Sequence, residues 1–197
     1  MFEPGNTQAD PLFAQGAALV VGGDNDLGEA ICVLLAGAGS HVCLACNIDP
    51  LAAQRTAARV HALGQEAVVA PVDSSDPQAL QAFATAAAAQ FGSIHSLVVV
   101  PPPQATRARI GDIPPADWAR SINAEANGCF NTIHAVLPHL RRARGSCVVL
   151  TAAAITKIPA QSSLSNVPKA ATSMLVLALA KEEARHGVRD KCVAPVL

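Results

Sequence analysis

Ala17 to Leu35 reads AALVVGGDNDLGEAICVLL. The apolar run Ala17 to Val21 stops at Gly22-Gly23, and Leu27, Ala30, Ile31, Leu34 and Leu35 then recur at i, i+3, i+4, i+7 and i+8. An apolar run, a glycine break and a helical period read as strand, turn and helix. The same alternation continues downstream. Strands are predicted at His41 to Cys46, Ala67 to Val72, Ser96 to Val100 and Ser146 to Thr151, ahead of an apolar end, CVAPVL. Helices are predicted near Pro50 to Leu63, Pro77 to Phe91, Pro115 to Arg142 and Pro168 to His186, the last capped by Asn166. Strands alternating with helices imply a parallel sheet covered on both faces, so the fold class is α/β, a single Rossmann-like doubly wound sheet. Residues 15–197 form that one domain behind an N-terminal extension, 1–14, and no internal repeat is present.

Composition narrows the function classes. The chain has 197 residues, 51% hydrophobic and 15% charged, with a mean hydropathy of +0.32. That is apolar for a soluble protein, yet the longest apolar run, Met174 to Ala180, is far short of the ~20 residues that cross a bilayer. The start, MFEPGNTQAD, lacks the basic and apolar regions of a signal peptide, which places the chain in the cytoplasm. A net charge of -1 and 3% aromatic residues argue against nucleic-acid binding. The Arg141, Arg142, Arg144 cluster suits a helix C-terminus.

The six cysteines are expected as reduced thiols, and Cys43 and Cys46 lie in a strand on opposite faces, unlike a reactive pair. The six histidines show no metal-ligand spacing, so no metal site is predicted.

A glycine turn between strand and helix ordinarily lets a dinucleotide pyrophosphate approach the helix N-terminus. With the later segments PVDSSD, INAEANGCF, HAVLPHL, GSCVVLTAAA and SNVPKAA, the chain resembles the short-chain dehydrogenase/reductase family. In that family a tyrosine phenol is the general acid/base, a lysine tunes it, a serine orients the carbonyl, and an asparagine anchors a water relay. The resemblance assigns these positions to Ser165, Lys169, Ala152 and Glu125, and the chain has no tyrosine. Serine is too weak an acid to stand in for phenol. The resemblance therefore implies that no residue of this tetrad is catalytic.

The cofactor positions depart as well. A family glycine between Gly23 and Gly28 is Asp26, with Asp24 nearby. Unit charges ~5 Å apart at an effective dielectric near 20 repel by roughly 3 kcal/mol, so carboxylates facing a pyrophosphate would weaken its binding. Asp24, Asn25 and Asp26 are also good N-caps, able to satisfy the helix start themselves. The acid expected after the second strand falls on Cys46, and the arginine of NADP-dependent members near Asn47. The loop after the fourth strand is Val99-Val100-Pro101-Pro102, and Pro101 to Pro103 offer no amide donors.

The site Gly22, Gly23, Asp26, Gly28, Asp73 is thus expected to be vestigial. Asp73 is read as a cap or turn residue, and Lys169 as a surface or helix-start lysine. A Ser165 nucleophile activated by Lys169 requires both on one helix face, which a helix starting at Pro168 forbids. The chain also reads as truncated at its C-terminal end relative to the family, lacking the substrate lid and last strand, with Val196 in place of a glycine.

What the resemblance retains are the apolar helices near 115–142 and 168–186, which pair subunits in the family. The resulting expectation is a noncatalytic subunit, not an enzyme by itself. It would bind no cofactor, and would pair through those helices with an intact dehydrogenase carrying NAD, on a CoA thioester in anaerobic aromatic degradation. The alternatives are an NAD(P)-sensing protein without turnover and an active reductase with relocated catalytic groups.

Overall fold

The computed structural model describes residue 13 and residues 15–102 and 106–195. Most of the extension 1–14, together with Pro103 and Val196, lies outside them. Six strands alternate with helices: β1 (Ala17–Val21), β2 (His41–Cys46), β3 (Ala67–Pro71), β4 (Ile94–Val99), β5 (Ser146–Leu150) and β6 (Arg189–Val193). They form one parallel sheet in the order β3-β2-β1-β4-β5-β6. The order in which strands are laid down reverses between β1 and β4, and a crevice opens beyond the carboxyl ends of the strands at such a point. The predicted doubly wound fold is the observed one.

Alternation of side chains divides the core between the two faces. Leu19, Cys43, Leu97 and Val149 join Val136, Leu140 and Val176 on one side. Val20, Leu44 and Val98 join Cys32 and Val60 on the other. Both faces are covered, which is why the strands read as continuous apolar runs. Cys43 and Cys46 are buried free thiols, and burial pushes the Cys43 thiol up to about 12, leaving it unreactive as expected.

The helices start where the sequence supplies caps. In α1 (Asp26–Gly37), the Asn25 side chain accepts from the Gly28 amide. In α2 (Pro50–Ala62) and α3 (Pro77–Phe91), Asp49 and Asp76 cap helices whose first residue is proline. Proline there forfeits no hydrogen bond, and its φ suits a helix start.

Two helix predictions need correction. The single helix predicted near 115–142 is α4 (Pro115–Ile122), a π-helical turn at Asn123–Asn127, and α5 (Gly128–Ala143). The helix predicted to start at Pro168 is α6 (Ser163–Glu183), with Pro168 inside it and Ser162, not Asn166, at its N-cap. Pro168 has no amide to offer the Leu164 carbonyl one turn earlier, but the Ser121 hydroxyl of α4 donates to that carbonyl instead. A residue distant in sequence thus allows the helix to run through the proline. Asn166 braces the same turn, donating to the Ala154 carbonyl at 3.1 Å and to the Ser162 hydroxyl at 2.8 Å. At the other end Arg141 of α5 clamps Glu183 of α6 through two bonds of 2.6 Å.

Of the apolar end CVAPVL, Cys192 and Val193 belong to β6, an edge strand that begins at Arg189. Asp190 on this strand buries both carboxylate oxygens without a hydrogen-bond partner. Desolvation, reinforced by Glu183, raises its pKa from 3.8 to about 6. A folded-state value above the unfolded one means that stability falls as pH rises through roughly 4 to 6 and levels off above. Asp190→Val is expected to remove that slope. It should stabilise the fold by roughly 1–2 kcal/mol at pH 8, discounted for the edge position, and by almost nothing at pH 4, as read from urea melts. Equal effects at the two pH values would contradict this account.

Among the described residues no helix is long and apolar enough to cross a membrane. No group of three His, Cys, Asp or Glu side chains among them is placed to hold a metal.

Candidate functional site

The crevice begins at the glycine turn. Gly22 has φ +83, and a Cβ there would lie 2.5 Å from the Val100 carbonyl oxygen. A Cβ on Gly28 would lie 2.1 Å from the Gly22 carbonyl oxygen, so both glycines are required for the turn to pack. Asn25 locks the turn, accepting from the Gly28 amide at 3.0 Å and donating to the Gly22 carbonyl at 3.0 Å. Asp24 turns towards the end of β2, where its Oδ2 accepts from the Ile48 amide at 3.0 Å and the Asp49 amide at 3.1 Å. Asp26 is exposed and does not line the cleft. Contrary to the sequence expectation, the two carboxylates are therefore not both aimed at the helix start. Only Asn25 among the three candidate caps serves as the N-cap.

A cleft of about 360 Å³ opens here, lined by Gly22, Asp24, Asn25, Asn47, Asp73 and Arg120 among others. Asp73 is the turn residue expected, accepting from the Ser75 amide at 2.8 Å, and that bond holds its carboxyl below the usual range. The next residue, Ser74, sits against Gly128 where a Cβ would come within 2.6 Å of its hydroxyl, and its carbonyl accepts from Asn131. This contact fixes the cleft wall to the start of α5. Glycine at the turn, a helix N-terminus beside it and a cleft at the topological switch point fit a dinucleotide. Pro101 and Pro102 follow β4, Pro102 lines the cleft, and neither contributes an amide.

The second part of the site is a buried polar cluster. The π-helical turn places Glu125 opposite Lys169 of α6, whose Nζ donates to Glu125 Oε2 at 2.7 Å and to Ser165 Oγ at 3.1 Å. All three are buried, at 7%, 7% and 5% exposure for Glu125, Lys169 and Ser165. Lys169 is thus neither a surface lysine nor a helix start, because α6 begins before Pro168. Ser165 and Lys169 do share a helix face, contrary to expectation. The ammonium nevertheless donates to Ser165 and is paired with Glu125, so it is no base for a serine nucleophile. Burial raises the Glu125 pKa, and the hydrogen bond and charge of Lys169 oppose the rise. Ala152 caps a short 3-10 turn, Ala153–Ile155, and offers no hydroxyl.

Glu125 and Lys169 line a small, partly open cavity of about 40 Å³ with Thr132, Thr172 and Ser74, room enough for a water. Glu125 also lines a more open pocket of about 280 Å³ with Pro102, Arg120, Ser121 and Leu164. Pro102, Arg120 and Ala124 are shared between that pocket and the cleft at the Gly22 turn. Glu125 is therefore the titratable group common to the interior and the pocket, whereas Ser165 lines neither.

Residues 16–197 match the short chain dehydrogenase family. The chain belongs to that family. A short-chain dehydrogenase/reductase from Cladobotryum sp is 29% identical over 94% of this chain and 71% of its own length. L-fucose dehydrogenase from Mus musculus is 28% identical over 93% of this chain and 65% of its own. Cyclohexanol dehydrogenase from Acinetobacter sp. is 27% identical over 93% and 73%. Among solved structures, acetoin dehydrogenase from Enterobacter cloacae superposes with a TM-score of 0.85 at 25% identity, covering 92% of this chain and 73% of that one. A xylitol dehydrogenase solved with NAD+ shares the fold, with a TM-score of 0.87 at 24% identity over 92% of this chain and 70% of that one.

The short-chain dehydrogenase relatives correct one expectation directly. A chain whose homologues over nine-tenths of its length are named dehydrogenases and reductases is placed among oxidoreductases, not among non-enzymes. Beside Ser165 at the tyrosine position stand a buried acid and lysine, Glu125 and Lys169, whose pairing was not legible in the sequence.

Proposed function

We propose that this chain is a nicotinamide-dinucleotide-dependent oxidoreductase in which Glu125 takes the general acid/base role. Its substrate is a small hydroxyl- or carbonyl-bearing molecule, as the names of the relatives suggest. The carrying observation is the position of Glu125, buried, with a raised pKa, and facing both the inner cavity and the open pocket. A carboxyl tuned upward by burial can exchange protons nearer neutrality than an exposed one.

The dinucleotide, held at the Gly22 turn and the α1 start, would supply or accept the hydride. Glu125 would take the hydroxyl proton on oxidation and return it on reduction. Lys169 orients the carboxyl and limits its pKa rise, and Ser165 in turn positions the ammonium. Thr132 and Thr172 line the inner cavity, where a water could carry the proton away from Glu125.

The chain is further proposed to work as a subunit, paired with a second short-chain dehydrogenase subunit through α5 and α6. Phe130 is 52% exposed on α5, and Met174 and Leu177 are 65% and 59% exposed on α6. They are exposed apolar side chains on two helices that pack against each other, and an apolar surface of that kind marks an interaction site.

The test is hydride transfer by the purified chain, followed by nicotinamide absorbance across alcohol and carbonyl substrates. Glu125→Gln is expected to lower turnover about 10²–10⁴-fold with dinucleotide affinity retained. Saturable dinucleotide binding without transfer to any substrate would overturn the acid/base assignment.

A further inference from the structure

The end of β2 carries Cys46 and Asn47, neither of which can accept strongly from the hydroxyls of a ribose. The structure brings an acid to that place from elsewhere. Asp24, in the β1–α1 turn, reaches across to the loop after β2 and is anchored there by the Ile48 and Asp49 amides. Both amides use Oδ2, so among the described residues Oδ1 has no partner, and Asp24 lines the cleft together with Asn47 and Ile48.

Two amides from one loop fix the carboxylate more firmly than a free surface acid, since its rotamer freedom is already restricted. The other acid on this side is Asp73. Among the described residues lining the cleft, the cation is Arg120, which belongs to α4 and is engaged by Asp117. The β1–β2 side of the cleft therefore presents negative charge and hydrogen-bond acceptors, with no cation of its own.

Resting on the dinucleotide reading above, we infer that Asp24 is the specificity residue for the adenosine ribose, selecting NAD over NADP. A vicinal diol donates hydrogen bonds to a fixed carboxylate. A 2′-phosphate at the same point has no proton to donate at neutral pH and carries like charge, which is repelled at short range. The role is performed from the first turn rather than from the end of the second strand.

Calorimetry on the whole chain tests this with NAD+, NADP+, ADP-ribose and 2′-phospho-ADP-ribose as the probes. The unmodified chain is expected to bind NAD+ at least ~100-fold more tightly than NADP+, with the same preference between the two ADP-riboses. Asp24→Asn keeps an acceptor for the loop amides and removes the charge. It is expected to reduce the preference to about 10-fold or less, chiefly by improving NADP+ binding. Equal binding of the two dinucleotides by the unmodified chain overturns the inference whether or not the variant folds, as does a preference untouched by Asp24→Asn in a folded variant. Binding of neither dinucleotide removes the cofactor reading itself, a result distinct from equal binding of both.

Discussion

Lys169→Met is expected to destabilise the protein by about 3–5 kcal/mol at pH 8, as measured by urea unfolding. The loss arises less from the absent attraction than from what remains. Glu125 is 7% exposed, and its Oε2 accepts from Lys169 at 2.7 Å. Without the ammonium, a carboxylate stays in a low-dielectric pocket with no counter-charge. The Glu125 pKa, already raised by burial, would then rise further because the opposing interaction is gone. A folded-state pKa above the unfolded value makes stability decline as pH rises through the interval between them. The penalty should therefore shrink on acidification, as Glu125 becomes neutral. The double variant Glu125→Leu/Lys169→Met should recover most of the loss, since two apolar groups replace a buried pair at little net cost. A single-variant loss below about 1 kcal/mol, or one independent of pH, would show that water reaches the pair and that Glu125 is not tuned by burial.

The same pair shows where sequence reading stopped. The α/β alternation was legible because apolar runs, glycine breaks and Asp-Pro helix starts are local signals. Strand limits differ by a residue or two at β3, β4 and β5, and β6 starts three residues before the apolar end CVAPVL. The course of α6 was not legible, because a proline inside a helix is decided by a partner for the orphaned carbonyl. That partner is Ser121, on a helix far upstream. Once α6 starts before Pro168, Ser165 and Lys169 fall on one face, and Lys169 turns inward to Glu125. The π-helical turn that presents Glu125 has no strong local signature either. Substitution by substitution, Ser165, Ala152 and Glu125 read as losses. Their geometry shows that Glu125 and Lys169 are a matched pair, each supplying what burial demands of the other.

Gly28→Ala is expected to be as damaging for a reason independent of charge. The added Cβ would lie 2.1 Å from the Gly22 carbonyl oxygen, 2.7 Å from Gly23 Cα and 2.9 Å from the Gly22 carbonyl carbon. All three contacts are backbone, so no side-chain rotation relieves them. The helix must move off the turn, breaking the Asn25 cap and the Gly28 bond to it at 3.0 Å. The expected loss is about 3 kcal/mol or more, at the upper end for overpacking, with dinucleotide affinity falling alongside because the cleft wall shifts. Gly23→Ala should be milder, since its nearest contact, at 2.8 Å, is the movable Leu44 side chain. Gly37→Ala supplies the control within the same helix. It meets nothing within 4 Å and should stabilise by roughly 0.4–1 kcal/mol through the unfolded state and helix propensity. Thermal and urea melts of the three variants, with calorimetric titration of NAD+ into each folded one, separate the outcomes. If Gly28→Ala melts like Gly37→Ala, the glycine turn has room to spare and its close packing cannot be what shapes the cleft.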